Sequence, residues 1–401
     1  MRVLVLSQFY APDEAAGTQF LVELCEHLVK HGHDVEVITS RTTNHGGPPL
    51  APSEVVGGVQ VTRAWSTSLG KAHLAHRLSD YGTFFASAIV RTLAARSVDL
   101  LLSVTVPPLI PAVAALASRV HRTPLVTWVQ DVYPDVAVEL GVLGPESPVV
   151  TALTALQRRS LGQCARVVAI SEGMSRRLEA HGAPRESLRV IHNWSDGAHV
   201  VPRGAGIETP FRLEHGLAGR FVLTYSGNLG MAHEFETLVA AAGALAADPR
   251  FLLLFIGAGG RLKEARAMSE GAANVRFLPF QPTANLNQSL TAADAHAITL
   301  RTPLEGLIVP SKLYGALACG KPLFYVGPEH CEVARVIASS ELGWSGRPGD
   351  VEGLVRALRR ALDDSRWAEE RGARARAAFD ASFTRSIALE KWRALLEGTA
   401  R

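Results

Sequence analysis

The sequence predicts an α/β chain of two domains, each built around a parallel sheet. Three observations lead there. The chain opens on a β-loop-α-β unit: a buried-strand run over 3–6, a helix over about 18–31 ended by Gly32, and a second strand over 34–39. The same alternation restarts at Arg220, after a stretch over 197–219 with no strong periodicity that reads as a linker. At 401 residues, the chain is also longer than one typical core.

Composition bounds the function. The chain is 47% apolar and 20% charged, as globular proteins are. Its net charge is only +3, from 41 basic and 38 acidic residues, and no basic run interleaves with aromatics, so no nucleic-acid partner is expected. Cys25, Cys164, Cys319 and Cys331 lie far apart with no CxxC spacing, which points to a reducing compartment and away from a structural zinc site. The opening MRVLVLSQFY is too short for a signal-peptide core, and no apolar run reaches roughly 18 residues, so the expectation is a cytoplasmic protein without a membrane span.

In the first domain, the loop 11–18 is rich in small residues that let a ligand approach a helix start, and a purely structural loop is the alternative. It lacks GxGxxG, so a dinucleotide site is not indicated. Residues 41–57, with Gly46, Gly47 and three prolines, read as a surface loop, and 59–64 as a strand. A helix over 73–96 carries Tyr81, Phe84, Phe85 and Val90, fringed by Lys71, Arg77, Arg91 and Arg96. It suits either an anionic membrane surface or an ordinary core with a solvated edge. Strands follow at 99–104 and 125–129, with Pro107 and Pro108 opening a helix between them. The second strand runs into Asp131, a carboxylate placed where parallel-sheet enzymes put reactive groups, and Asp135, which suits a helix cap. Strands over 166–170 and 188–191 complete the domain.

In the second domain, the strand 221–225 exits into Ser226-Gly227-Asn228-Leu229-Gly230 and a helix over 235–245, and the strand 251–256 exits into Gly257-Ala258-Gly259-Gly260-Arg261. The strand 275–278 leads to Phe280 and Gln281, a helix lies near 286–293, and the strand 295–300 leads to Glu305. Then Pro310, Ser311 and Lys312 open a short apolar helix that stops at Gly320, before a strand over 323–326. A helix start with unpaired N–H groups, a hydroxyl and a lysine suits a phosphate-bearing ligand, and two Gly-rich strand exits beside it suit a nucleotide diphosphate. An ordinary αβ unit with a solvated lysine is the plainer alternative. Glu332 opens another helix, Gly343, Gly346 and Gly349 mark turns, 351–362 is amphipathic, and 374–396 is helical with Phe379, Phe383 and Trp392 needing cover.

These pieces carry a resemblance over nearly the whole chain. PDEAAGTQFLVELCEHLVKHGHDVEVIT, WVQDVYPDVAVELGVL, VVAISEGMSRRL, VIHNWSD, YSGNLGMAHEFETL, FIGAGG, VRFLPFQP and LEGLIVPSKLYGALACGKP with GPEHCEVARVI, in that order, resemble glycosyltransferase family 4. The branch they resemble is the WbuB-like transferases of bacterial surface-polysaccharide assembly. The resemblance implies the GT-B fold: two Rossmann-like domains over 1–197 and 198–380, a cleft between them, and a C-terminal helix over 381–401 returning to the first. It implies an acceptor side in the first domain and a nucleotide-sugar donor in the second. Gly227 and Asn228 would line the donor phosphates, Gly257, Gly259 and Gly260 would pass close to the donor, and Phe280 and Gln281 would neighbour the base. Glu305 would correspond to the first family glutamate, and Gly17 with Thr18 would face the donor phosphates or the acceptor.

The chain departs from the family at several positions. The second glutamate is replaced by Gly315, with Glu332 as a possible substitute at the ribose, and the basic pair after the SGN turn is absent. Lys312 with Pro310 and Ser311, and secondarily Arg261, would then neutralise the diphosphate. The first-domain histidine is replaced by Gln130-Asp131. The expected activity is retaining transfer of a hexosyl or N-acetylhexosaminyl group from a nucleotide-sugar, UDP-linked in this family, without metal or other cofactor. Asp131, Glu305 and Lys312 would be the catalytic residues. The expected acceptor is a polyprenyl-diphosphate-linked sugar at the inner face of the membrane. A soluble acceptor, a nucleotide-sugar 2-epimerase and an inactive sugar-nucleotide-binding scaffold are the alternatives.

Overall fold

The computed structural model describes the chain except residues 14–15, 44–47, 68, 70–73, 96, 204–207 and 401, and the side chains of 16, 74, 75, 77, 78 and 283. Lys71, Arg96, the Arg77 side chain, Gly46 and Gly47 therefore lie outside what is described. The chain divides into two compact units, Met1–His192 with Leu389–Arg401, and Asn193–Ala388.

Unit 1 is built on eight strands: β1 (Arg2–Leu6), β2 (Asp34–Ser40), β3 (Ser53–Val56), β4 (Val59–Ala64), β5 (Leu100–Val104), β6 (Leu125–Val129), β7 (Arg166–Ala169) and β8 (Leu188–Val190). Their order is β3-β4-β2-β1-β5-β6-β7-β8, all parallel except β3 against β4. Strand order reverses between β1 and β5. Val3, Leu4, Val5 and Leu6 are buried, as are all five residues of β5 and of β6, because a parallel sheet is covered on both faces and alternation disappears. β4 is the strand expected over 59–64, whereas β3, its hairpin partner, falls where a surface loop is expected. Its signal is Gly57-Gly58, with φ of +58° and +83°, the pair of left-handed residues that a tight two-residue hairpin turn requires.

The chain end completes this unit. Trp392 is fully buried with its ring 4.7 Å from that of Trp128 in β6, and His33 Nε2 lies 3.0 Å from Glu397. The expected single tail helix is two, Ser365–Ser382 and Arg385–Glu397. The break has a backbone cause: Ser195 N–H donates to the Phe383 carbonyl and Arg385 N–H to the Ser195 carbonyl, a strand-like bridge that no continuous helix could make.

Unit 2 holds β9 (Phe221–Ser226), β10 (Phe251–Ile256), β11 (Val275–Leu278), β12 (Ala295–Thr299), β13 (Leu323–Val326) and β14 (Gly343–Gly346), in the all-parallel order β11-β10-β9-β12-β13-β14. The period of two in β9 and β10 splits their side chains between two cores. Leu223, Tyr225, Leu253 and Phe255 enter one, and Val222, Leu252, Leu254 and Ile256 the other. β14 corrects the expected turn region: GWSG pairs along β13, and a methyl group at Gly343 would collide with the Leu323 carbonyl, so this edge is strand because its neighbour approaches so closely. The expected linker contains a helix, Pro210–Glu214, capped by the Thr209 hydroxyl.

Removing the buried indole of Trp392 leaves a cavity against Trp128. Trp392→Ala is expected to cost about 3–5 kcal/mol of the stability of unit 1, read as a lowered midpoint for its calorimetric transition. An unchanged midpoint would show that the chain end is not part of this core.

Candidate active site

Ligands of parallel sheets sit at the carboxyl ends of the strands, where strand order reverses. In unit 2 the reversal lies between β9 and β12, and the segments leaving these strands meet around Lys312, the first residue of the helix Lys312–Ala318. The Lys312 ammonium donates to the Tyr225 hydroxyl oxygen at 3.0 Å and to His233 Nε2 at 3.2 Å, and lies 4.5 Å from the centre of the Tyr225 ring. The histidine tautomer follows from its other side. His233 Nδ1 is 2.7 Å from the Thr299 carbonyl, which can only accept, so Nδ1 carries the proton and Nε2 offers its lone pair to the lysine. The Tyr225 hydroxyl in turn donates to the Asn228 carbonyl at 2.9 Å.

Every partner of the lysine is therefore neutral. Among the described residues no carboxylate forms an ion pair with it, and burial alone pushes its pKa down to about 7. Burial, reinforced by Lys312, takes His233 to about 3, so the imidazole is uncharged at neutral pH. Lys312 nevertheless keeps part of its surface accessible. Such a group is a cation held ready for an anion that the protein itself does not supply. Beneath it, Tyr225 and Phe235 meet edge-on at 5.2 Å, and Phe235 meets Phe255 likewise at 5.8 Å, a rigid aromatic floor. Gly227 adopts φ +125°, a backbone that side chains rarely take, and a methyl there would meet Lys312 Cε only at an ordinary contact distance of 3.5 Å.

Several expected donors are already occupied. The Arg261 guanidinium binds the His233 carbonyl at 2.5 Å, Glu236 at 2.6 Å and Glu264 at 2.5 and 2.7 Å. It braces the segment that carries His233 and is not a second open cation. The Gly227 and Gly257 N–H groups bond to the Ile256 and Leu278 carbonyls. Methyl groups at Gly257 and Gly259 would strike the Gly227 and Leu229 carbonyls, so these glycines let the two loops pack on each other. Gly260 faces open space. The helix at Lys312 opens with Leu313 N–H on the Pro310 carbonyl and Tyr314 N–H on the Ser311 carbonyl, which leaves fewer unpaired donors than a helix start suggests, while the Ser311 side chain is exposed and caps nothing.

The remaining sequence-predicted positions of unit 2 make contacts of their own. Phe280 is an exposed aromatic, 64% accessible, next to Gln281, whose amide donates to the Pro279 carbonyl. Glu305 ends the turn Thr302–Leu304 and stands close enough to Tyr325 and Cys331 for its charge to raise both their pKa values, after burial, which dominates. Glu332 is buried and faces Arg335 at 2.5 Å and Tyr314, so it is turned into the fold. Tyr225 and Thr299 were invisible as site residues, because in sequence they are ordinary members of buried strands; the only signal was their position at the strands' carboxyl ends.

Unit 1, taken by itself, holds the other sequence-predicted residues. Asp131 follows β6 and remains partly accessible, yet protein crowding its carboxyl raises its pKa to about 6. Tyr133 is raised too, by burial and then by Asp131. Asp135 is not a cap: it is the first residue of the helix Asp135–Glu139 and pairs with His181 at 3.1 Å. Gly17 and Thr18 lie in the first turn of the helix Ala16–Lys30, with Thr18 buried.

Two family models match the chain, one described as glycosyl transferase 4-like domain over 16–194 and one as glycosyl transferases group 1 over 210–378. The chain belongs to glycosyltransferase family 4. This transferase is 26% identical to the probable glycosyltransferase WbjE of Pseudomonas aeruginosa, over 89% of this chain and 88% of the relative. It is 26% identical to the putative colanic acid biosynthesis glycosyl transferase WcaI of Escherichia coli K12, over 90% and 92%. Among solved structures it resembles sucrose-phosphate synthase from Thermosynechococcus elongatus, with TM-score 0.76 and 17% identity over 99% and 100% of the two chains. It also resembles Anabaena HepE in complex with UDP-glucose, with TM-score 0.72 and 17% identity over the same shares. These likenesses show the GT-B fold. No helix among the described residues of the transferase is long and apolar enough to cross a membrane.

The lysine gives a pH test. Its pKa is 10.5 unfolded and about 7 folded, so between these values the unfolded chain holds a proton that the folded chain has released, and stability rises with pH. Lys312→Met is expected to melt above the wild type at pH 7, with the gap closing toward pH 10. Parallel melting profiles across that window would show that the ammonium is not desolvated.

Proposed function

We propose that the transferase moves a sugar, with retention and without a catalytic metal, from a nucleotide diphosphate donor, UDP-linked, to an acceptor hydroxyl in surface-polysaccharide or glycolipid assembly. The observation that carries this is the Lys312 ammonium among neutral partners. A diphosphate oxygen supplies the charge it lacks, and the lysine's remaining N–H stabilises the negative charge that develops as the bond between the anomeric carbon and phosphate breaks. UDP-glucose bound by HepE supports the donor class. The exposed Phe280 suits stacking on the base, Gly260 admits the donor close to the backbone, and Glu305 orients sugar hydroxyls. Glu332 and Arg261 are left outside the donor contacts because their charges are paired within the fold.

As the acceptor oxygen bonds to the anomeric carbon, its proton passes to Asp131 or to the departing phosphate. A carboxyl with a pKa near 6 is ionised at neutral pH and still basic enough to take it. The kinship with WcaI, a putative colanic acid biosynthesis glycosyl transferase, supports surface-polysaccharide assembly; a place in the WbuB-like branch and a polyprenyl-diphosphate-linked sugar at the inner membrane face as acceptor complete the proposal. Trp65, Leu69 and Val90, each more than half exposed in unit 1, suit a peripheral contact with lipid, whereas Phe84 is buried and belongs to the core.

Thermal shift with UDP-, GDP-, dTDP- and CMP-sugars, with and without divalent metal, is expected to show a metal-independent rise for the UDP set. No rise with any donor would count against the donor site. Lys312→Ala is expected to keep the fold and lose turnover by about 10²–10³-fold, and a wild-type rate would refute the phosphate role. Sedimentation with anionic vesicles should carry the protein down; indifference to lipid would favour a soluble acceptor.

A further inference from the structure

Away from that chemistry, at the far end of the helix Ala16–Lys30 from Gly17 and Thr18, two histidines share a face. His27 and His31 are four residues apart, one helical turn, with ring centres 4.2 Å apart. Glu390, from the chain end that belongs to the same unit, points one carboxylate oxygen at both: Oε1 is 3.1 Å from His27 Nε2 and 3.8 Å from His31 Nε2. We propose that His27, His31 and Glu390 form a binding site for a divalent cation of the zinc class, which fastens the end of the chain to the first helix of unit 1.

The surrounding hydrogen bonds prepare these atoms as ligands. His31 Nδ1 lies 2.8 Å from the His27 carbonyl, so it carries the proton and Nε2 presents its lone pair toward Glu390. His27 Nε2 is buried without a well-aligned hydrogen bond. Arg393 holds the carboxylate by its other oxygen alone, with Nε and a terminal nitrogen at 3.1 and 2.7 Å from Glu390 Oε2, which orients the group and leaves Oε1 for the imidazoles. All three ligand atoms lie within 4.8 Å of one another. A tetrahedral zinc ion needs ligand atoms about 3.3 Å apart, a closure that small side-chain rotations supply.

Two imidazoles and a carboxylate suit zinc-class ions better than magnesium or calcium, which prefer all-oxygen shells. The widely spaced cysteines speak only against a thiolate site. The ion has no part in the transfer proposed above; its role is to hold the helix Arg385–Glu397, whose Trp392 lies on Trp128.

The test uses the full chain, free of any affinity tag and stripped with chelator, titrated calorimetrically with zinc chloride. One equivalent is expected to bind and to raise the melting midpoint, and His31→Gln and Glu390→Gln are each expected to weaken binding at least about tenfold. Both side chains are substantially exposed, so both variants should fold, which their metal-free midpoints check. Cobalt substitution should give the intense visible bands of a four-coordinate ion in the wild type and lose them in His27→Gln. No binding, or zinc affinity unchanged in both His31→Gln and Glu390→Gln, would overturn the proposal.

Discussion

A lysine ammonium surrounded by a phenol, a neutral imidazole and an aromatic face is poorly solvated by its own protein, and the second unit is arranged to tolerate that state. Tyr225 is fixed by the sheet and by its bond to the Asn228 carbonyl, His233 by the Thr299 carbonyl, and the segment bearing His233 by Arg261. The first two contacts each direct a lone pair toward Lys312 while withholding a negative charge. A carboxylate at any of these positions would neutralise the lysine in the resting protein and weaken its attraction for an incoming anion. Among the described residues none pairs with Lys312, and its proposed phosphate role rests on that. The cost is a destabilised native state, which functional sites commonly carry.

Strand order explains why these groups converge. In an all-parallel sheet every strand delivers its following loop to the same edge, and reversal between β9 and β12 opens a gap there. Tyr225 and Thr299 lie at the carboxyl ends of the two strands flanking that gap, and the loop after β12 carries the chain on to Lys312. The Gly-rich exits of β9 and β10 stack because Gly257 and Gly259 have no side chains to separate them. Unit 1 repeats the plan, with reversal between β1 and β5 and Asp131 at the exit of β6.

The parallel sheets were legible in the sequence because continuous apolar runs such as 3–6 and 251–256 are the direct imprint of burial on both faces. Lys312 was legible because Pro310, Ser311 and Gly320 punctuate its helix. What escaped was set by partners distant in sequence. GWSG looks like a turn until β13 lies beside it, and the break at Phe383 exists only because Ser195 bonds to the chain there. The Gly57-Gly58 hairpin carried its signal openly and was masked by the prolines before it. Arg261 and Glu332 were plausible ligand contacts in one dimension. In three, their charges are taken by Glu236, Glu264 and Arg335, and such pairing cannot be read from spacing alone.

Burial acts on two groups of opposite sign and brings both near neutrality. It raises Asp131 to about 6 and lowers Lys312 to about 7. A carboxylate in water would be a weaker base, and a lysine in water would already be screened by solvent ions. Desolvation makes each charge conditional on what arrives. In the proposed transfer, a diphosphate next to Lys312 would favour its protonated form, so donor binding and proton uptake would be coupled. In the same proposal, an acceptor hydroxyl next to Asp131 would meet a base whose conjugate acid is stable enough to hold the proton while the new bond forms. A single physical cause, exclusion of water by the surrounding fold, thus brings both groups near neutrality, and the proposed transfer depends on it.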